Sequence, residues 1–239
     1  RKGAIQLNQQ QRPPRSMVKT GFVLVQIKKM LDPVKFGAFK EKFIETHVKT
    51  GVCKVVYLAP AVEYLEAGAA SEGLPMVVLE CPTVETAVNF QKTPIYQQCK
   101  DAAGGDMTKV VTRDIRVVEM EAGCIDPANK GYWFTFLETV SDQESFDKYF
   151  AAAGPSIIEP KLYGIDVKHF GKPVAFSEAG MDEPVVVVEF ESLKAAKSLY
   201  TSPEYKKAVS AGNSAGDATK FVKRDIRVVG TEPAQSLAN

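Results

Sequence analysis

The sequence contains few of the residues that most catalytic sites require. Its only two histidines, His47 and His169, lie at non-equivalent places and outside any metal-ligand or triad spacing, so each is predicted to be structural or solvated. No glycine-rich phosphate loop follows a predicted strand, because residues 102–105 (AAGG) precede a strand and are typical of a turn. The carboxylates of Glu63 and Glu66 have no visible partner and are predicted to lie on a solvated face. These absences predict that the protein is not an enzyme.

An excess of charge and a long apolar run are also absent. Lys and Arg number 30 against 29 Asp and Glu, so the composition gives no reason to expect a nucleic acid partner. No apolar stretch approaches the roughly 18 residues of a membrane-spanning helix, so membrane insertion is not expected. Residues 1–17 are rich in Gln, Arg and Pro and are predicted to form an extended arm, either flexible or ordered on a partner.

Cysteine is scarce and unevenly placed. Of the four cysteines, Cys53, Cys81 and Cys99 lie in the first half of the chain, Cys124 lies near its middle, and the second half has none. No C-x-x-C spacing occurs, which excludes a zinc ribbon and a thioredoxin-like motif. Two bland interpretations stay open: a buried cysteine acts as a small hydrophobe, and four cysteines allow three disulfide pairings.

The chain contains one pattern written twice. The hexapeptide RDIRVV occurs at residues 113–118 and 224–229, a spacing of 224 − 113 = 111 residues. The segments KTPIYQQCKDA (92–102) and TSPEYKKAVSA (201–211) also correspond, and their alignment places Cys99 opposite Ala208. The predicted organisation is an N-terminal arm (1–17), repeat 1 (18–120), a linker (121–130), repeat 2 (131–231) and a C-terminal tail (232–239).

Each repeat shows the same predicted order of elements. Runs of β-branched and aromatic residues, such as GFVLVQI at 21–27, predict strands. The segment 32–48 opens with Asp before Pro and repeats Phe at helical spacing, which predicts a capped helix. The resulting order β-α-β-β-α-β is that of a ferredoxin-like module, which leaves one sheet face uncovered. We therefore predict an α+β fold in which two ferredoxin-like repeats pack as an intramolecular pseudo-dimeric α+β barrel.

Repeat 2 resembles a small domain family of unknown function in the dimeric α+β barrel superfamily. The resemblance lies in GYWFTFLETVSDQESFDKYFAAAGPSI (131–157) and VVVVEFESLKAAKSLYTSPEYKKAV (185–209). Members of that family are usually single-domain homodimers, so the resemblance implies a fused dimer. The family's usual glycine-rich turn after its second strand is replaced here by residues 58–73 and 169–180, which argues against an intact ancestral pocket.

The neighbours of the cysteines predict exposed, reactive thiols. Cys81 precedes a proline at a predicted helix start, where the helix dipole favours the thiolate. Cys99 lies in a polar run beside Lys100 and Asp101, which offer a cation and a carboxylate. Cys53 is followed by a lysine, and Cys124 lies in the linker. None of the four is expected to pair with another.

The overall pattern resembles that of phycoerythrin gamma subunits, the chromophore-bearing linkers of red-algal phycobilisomes. The shared features are a processed start, a similar mature size, several unpaired cysteines and a near-neutral chain with an arm. The resemblance implies a light-harvesting linker that fills the cavity of a phycobiliprotein alpha/beta hexamer, on the stromal side of the thylakoid in the chloroplast, with the cytoplasm as the alternative location. It implies thioether-linked bilins, phycourobilin or phycoerythrobilin, held by Cys53, Cys81, Cys99, Cys124, Lys100 and Asp101.

Two other interpretations are kept. The first is a small-molecule-binding or enzymatic pseudo-dimeric α+β barrel, with a pocket between each sheet and its helices. The second is a structural linker with free thiols.

Overall fold

The computed structural model describes residues 18–61, 63–66, 73–159 and 161–231. The predicted arm and tail, 1–17 and 232–239, lie outside these residues. Ten strands are described: β1 (Lys19–Met30), β2 (Lys54–Pro60), β3 (Glu63–Glu66), β4 (Pro75–Cys81), β5 (Val111–Glu121), β6 (Gly131–Val140), β7 (Asp166–Gly171), β8 (Ala175–Glu178), β9 (Val185–Phe190) and β10 (Val222–Val229). Six α-helices accompany them: α1 (Pro33–Phe43), α2 (Val84–Asn89), α3 (Pro94–Ala102), α4 (Gln143–Ala153), α5 (Leu193–Leu199) and α6 (Pro203–Gly212).

The helices begin where the sequence supplies caps. The Asp32 carboxylate accepts from the Lys35 N–H at 3.0 Å, and Pro33 occupies the first turn of α1. Ser202 caps α6 in the same way, accepting from the Tyr205 N–H at 3.1 Å. Asp142 caps α4, the counterpart of α1, and Thr93 caps α3, the counterpart of α6, so the local sequence determines where these helices start.

The strands form two five-stranded antiparallel sheets. Sheet 1 has the order β2-β4-β1-β5-β8, and sheet 2 has the order β3-β10-β6-β9-β7. The sheets pack face to face over a buried apolar layer that includes Phe22 and Leu24 of sheet 1 and Tyr132, Phe134 and Phe136 of sheet 2. The helices cover the outer faces over two further apolar clusters. The predicted pseudo-dimeric α+β barrel of two ferredoxin-like halves is confirmed.

The halves exchange one short strand each. β3 of the N-terminal half pairs with β10 in sheet 2, and β8 of the C-terminal half pairs with β5 in sheet 1. Sequence analysis placed only an altered turn at residues 58–73 and 169–180. The structure shows instead that Glu63–Glu66 and Ala175–Glu178, which lie within these segments, pair with the outer edges of β10 and β5 in the other half.

The hexapeptide RDIRVV lies on β5 and β10, and its side chains point alternately to the two faces of each sheet. Strand alternation points Asp114 and Arg116 into the layer between the sheets, where Arg116 Nε donates to Asp114 Oδ1 at 2.9 Å. Arg113 has the opposite direction and lies under the helices. The repeated motif therefore contributes one buried arginine to the inter-sheet layer and a second arginine to the helix side.

Candidate functional site

The first pocket lies between sheet 1 and its helices. Its walls come from α1, from β1, β2, β4 and β5, and from the segment around Phe90. The cavity holds about 60 Å³. The apolar lining consists of Val25, Ile27, Phe36, Phe39, Phe43, Ile44, Val55, Leu58, Val77, Leu79, Phe90 and Ile115, and the polar lining of Lys40, Gln91, Tyr96 and Arg113.

A buried arginine and tyrosine form the polar end of this pocket. Arg113 forms a two-pronged ion pair with Glu178 of the exchanged strand β8, with Nε donating to Oε2 at 2.9 Å and Nη2 to Oε1. The same Nη2 donates to Tyr96 Oη at 3.2 Å. The guanidinium also lies over the Phe39 ring, 5.1 Å from its centroid. The other half of the molecule thus supplies the counter-ion that holds the Arg113 guanidinium beside the tyrosine.

The Tyr96 hydroxyl accepts hydrogen bonds and remains able to donate one. Its donors are Arg113 and, at 3.5 Å, Gln91 Nε2. Burial raises the pKa of Tyr96, and the opposing effect of Arg113 is smaller, so the hydroxyl stays protonated at neutral pH. The site therefore presents one O–H donor at the end of an apolar cavity.

A second pocket occupies the corresponding place over sheet 2 and holds about 90 Å³. Arg224 Nη2 donates to Tyr205 Oη at 2.6 Å, and Nε donates to Glu66 Oε2 of the exchanged strand β3 at 2.8 Å. The difference is Tyr149, which stands where the first pocket has Phe39. Arg224 Nη1 donates to Tyr149 Oη at 3.3 Å, and the Tyr149 and Tyr205 rings lie edge to face with their centroids 6.3 Å apart. The second pocket therefore has two tyrosine hydroxyls beside its arginine, where the first pocket has one.

The environment of Glu66 corrects the predicted solvated face. Its carboxylate is buried and accepts from Arg224 and from Tyr200 Oη, the latter at 2.8 Å. Sequence analysis missed both glutamates of these ion pairs. A sequence signal for their equivalent roles was present, because the tripeptide EAG occurs in both of the segments 58–73 and 169–180. Its first residue is Glu66 in one segment and Glu178 in the other.

A π-helical turn borders each pocket. Residues Ile44–Val48 continue α1 and Gly154–Ile158 continue α4 in this wider form. Ile44 lines the first pocket, and Ile157 and Ile158 line the second. Such turns are rare and often border functional sites, which agrees with the position of both pockets.

The predicted group Cys99, Lys100 and Asp101 does not converge. Cys99 is buried, with its thiol 3.4 Å from Thr46 Oγ1 and 3.9 Å from His47 Nδ1. Lys100 Nζ lies over the Tyr96 ring, 5.5 Å from its centroid, and Asp101 is exposed and accepts from Gln97 at 3.0 Å. Three consecutive residues of α3 point in three directions, because each helical residue turns by about 100°.

The other predicted thiols are also less exposed than expected. Cys53 and Cys81 are 2% and 0% exposed, and Cys124 is half-buried. Burial raises the pKa of Cys124 to about 11, so its thiol is not activated. The prediction that the thiols of Cys53, Cys81 and Cys99 are exposed is wrong, because the helices that carry or cover them close over sheet 1.

The two histidines lie in different halves of the molecule and have different neighbours. His47 is buried against the Phe43 ring, and His169 Nε2 lies 3.3 Å from the Gly171 carbonyl oxygen. Among the described residues, no three His, Cys, Asp or Glu side chains are grouped so that they could hold a metal ion. No described helix has the length and apolar character needed to cross a membrane.

Comparison of the sequence with protein families gives one match. Residues 130–223 match DUF1330, a domain of unknown function. No curated protein matches the chain.

Comparison of the structure with solved structures gives distant matches over most of the chain. An anthrone oxidase-like protein is 13% identical with a TM-score of 0.47, over 93% of this chain and 95% of that one. A mutant chlorite dismutase from Candidatus Nitrospira defluvii is 9% identical with a TM-score of 0.42, over 89% and 91%.

These findings correct the functional hypothesis. The matches are to a domain of unknown function and to proteins named for enzymes, and nothing in them supports a phycoerythrin gamma subunit or another phycobilisome linker. The light-harvesting hypothesis is therefore contradicted, and so is the prediction that the protein is not an enzyme. Bilin attachment and a phycobiliprotein partner stay untested predictions, and the burial of three thiols removes the argument on which they rested.

Proposed function

We propose that the protein binds a compact, uncharged, mostly apolar small molecule in the first pocket, through one hydrogen-bond acceptor on that molecule. The observation that carries the proposal is the Tyr96 hydroxyl. Arg113 and Gln91 both donate to this hydroxyl, so its own proton is available to a ligand at the end of an apolar cavity.

The charges around the pocket favour an uncharged ligand. Arg113 is already paired with Glu178, so an anion would have to compete with a two-pronged carboxylate. A charged group in the apolar part would lose its hydration without a partner there. A carbonyl or ether oxygen needs only the Tyr96 proton, and it adds no net charge to the site.

The phenylalanines of the lining favour an aromatic ligand. Phe36, Phe39, Phe43 and Phe90 border the cavity and offer ring edges and faces for stacking. At about 60 Å³, the cavity is smaller than the roughly 150 Å³ cavity that is known to admit benzene. Binding therefore requires movement of a lining side chain, for which the exposed Lys40 and the half-buried Phe36 are placed.

The test compares two ligands of nearly equal shape. Acetophenone has a carbonyl oxygen where α-methylstyrene has a methylene group, so only the former accepts a hydrogen bond. NMR shift titration of the whole chain should show tighter binding of acetophenone by roughly 5- to 10-fold, the effect of one hydrogen bond of about 1 kcal/mol.

Matched variants locate the effect. Tyr96→Phe should abolish the preference for the ketone, whereas Tyr205→Phe, the corresponding change in the second pocket, should leave it intact. Equal binding of the two ligands by the unmodified chain, or a preference that survives Tyr96→Phe, would refute the proposal. Mass spectrometry of the ligands after incubation shows whether the bound molecule is also converted.

A further inference from the structure

Cys53 and Cys81 face each other across two strands. Lys54 of β2 pairs with Glu80 of β4. Because the strands are antiparallel, the residue before Lys54 lies opposite the residue after Glu80, and these residues are Cys53 and Cys81. Both side chains belong to the apolar cluster on the helix side of sheet 1, so they lie on the same face. The sequence gives no sign of this pairing, because 28 residues (81 − 53) separate the two cysteines.

The backbone at this place suits a covalent link. The Cys53 N–H donates to the His47 carbonyl oxygen at 3.2 Å and not to Cys81, so the two residues do not form a hydrogen-bonded ladder pair. In a non-hydrogen-bonded pair of an antiparallel ladder, the Cα atoms of the two opposed residues are about 4.5 Å apart. A disulfide spans Cα distances of roughly 4.4–6.8 Å.

The two thiols interact and differ in reactivity. Each thiol is the largest influence on the ionisation of the other, which lowers the pKa of Cys53 and raises that of Cys81. This direction favours Cys53 as the attacking thiolate.

A surface opening leads to the pair. It holds about 300 Å³, and its lining consists of Thr20, Gly51, Cys53, Lys54, Glu80, Cys81 and Pro82. The exposed Lys54 offers a cation at the entrance to an anionic reagent. The exposed fractions of Cys53 and Cys81 are 2% and 0%, so a reagent in this opening reaches the thiols only when a bordering side chain moves.

The C-terminal half has an apolar pair at the same place. Asp166 of β7 pairs with Glu189 of β9, which places Ile165 opposite Phe190. Both are buried, so the fold packs at this position without thiols.

We propose that Cys53 and Cys81 are a dithiol that a small-molecule disulfide oxidises to a disulfide joining β2 to β4. The Cys53 thiolate attacks one sulfur of the reagent, which releases one thiolate and leaves a mixed disulfide. Cys81 loses its proton to solvent and its sulfur then attacks Cys53 Sγ, which releases the second reagent thiolate. The two protein thiols lose two electrons and two protons, and the reagent disulfide gains the electrons to give two thiols.

The test uses the folded whole chain with oxidised glutathione, followed by N-ethylmaleimide and mass spectrometry. The reduced chain should take up four maleimides after unfolding, one for each cysteine, and the oxidised chain two. Trypsin should then give residues 50–54 linked to residues 55–92.

Single variants test the order of events. Cys81→Ser should accumulate a glutathione adduct on Cys53, whereas Cys53→Ser should form little adduct on Cys81. Cys99→Ala and Cys124→Ser should leave the link unchanged. Circular dichroism checks that each variant is folded.

The unmodified chain decides the matter even if a variant fails to fold. The linked peptide in folded protein supports the proposal. It is overturned by the absence of that peptide, by links between other cysteines, or by a link that forms only after unfolding in urea.

Discussion

At the scale of single residues, two glutamates hold the buried arginines that define the pockets. The Glu66 side chain is 8% exposed and Glu178 is 29% exposed. Removing one partner of a buried pair leaves an uncompensated charge, whereas an exposed partner can be replaced by water. The ion pair of Glu66 with Arg224 is therefore expected to contribute more to the free energy of unfolding than the ion pair of Glu178 with Arg113.

Glu66→Gln should lower the free energy of unfolding by about 3–5 kcal/mol, because Arg224 would stay buried without a charged partner. Glu178→Gln should lower it less. Urea denaturation followed by circular dichroism measures both, with the exposed Glu41→Gln as the control. Equal effects at Glu66 and Glu41 would contradict the role of the ion pair.

Glu138 gives the molecule a dependence on acid pH. It accepts from Lys28 at 2.6 Å across the two sheets and from Lys223 at 2.8 Å. Burial by itself would raise its pKa, but the hydrogen bonds from Lys223 and Lys28 outweigh that effect and hold the pKa at about 2.

A carboxylate with a lowered pKa stabilises the fold above its ordinary value of 4.5, and this stabilisation is lost as the pH falls towards about 2. Glu138→Gln should therefore flatten the fall in unfolding free energy across this window. Denaturation at a series of pH values measures the slope. Glu144→Gln removes an exposed pair with Lys148 and should leave the slope unchanged, so a similar flattening in both variants would disprove the assignment.

At the scale of elements, a glycine determines how closely α5 approaches β6. A Cβ atom on Gly131 would lie 2.5 Å from the Ser192 carbonyl oxygen and 2.8 Å from Leu193 Cα. These contacts are with backbone atoms, which cannot turn away as a flexible side chain can. By contrast, a Cβ on Gly37 within α1 would meet nothing within 4 Å.

Gly131→Ala should destabilise the protein by about 1–3 kcal/mol, in the range of overpacked cores. Gly37→Ala should stabilise it by about 0.5–1 kcal/mol, because alanine restricts the unfolded chain and favours the helix. Thermal unfolding of both variants measures the opposite signs. A loss of stability in Gly37→Ala, or none in Gly131→Ala, would show that the packing differs from that described.

At the scale of the whole molecule, each half completes the other. Both sheets contribute buried apolar side chains and buried ion pairs to the layer between them, and each sheet contains one strand from the opposite half. A half by itself would expose that face and an unpaired strand edge, both of which favour aggregation.

Separate production of residues 1–125 and 126–239 should give poorly soluble fragments, whereas their production together should give a one-to-one complex. Size-exclusion chromatography with light scattering distinguishes the outcomes. A well-folded monomer of residues 126–239 would contradict the dependence of each half on the other.

The sequence by itself determined the helices and the strands other than the exchanged β3 and β8, and it also determined their order and their packing into a barrel. Capped helices and alternating strands depend on local residues, such as Asp32 and the RDIRVV segments, and a bare sheet face requires a cover. The matched segments of repeat 2 also indicated the domain of unknown function found at residues 130–223.

Only the tertiary structure decided the surroundings of the chemically important side chains. Exchange of β3 and β8 brings Glu66 to Arg224, 158 residues away (224 − 66), and Glu178 to Arg113. Polar neighbours in sequence suggested exposed thiols, but a residue next in a strand or helix points elsewhere, so Cys53, Cys81 and Cys99 are buried beside Lys54, Pro82 and Lys100. Exposure, ion pairing and the opposition of Cys53 and Cys81 depend on contacts between distant segments, which local sequence does not encode.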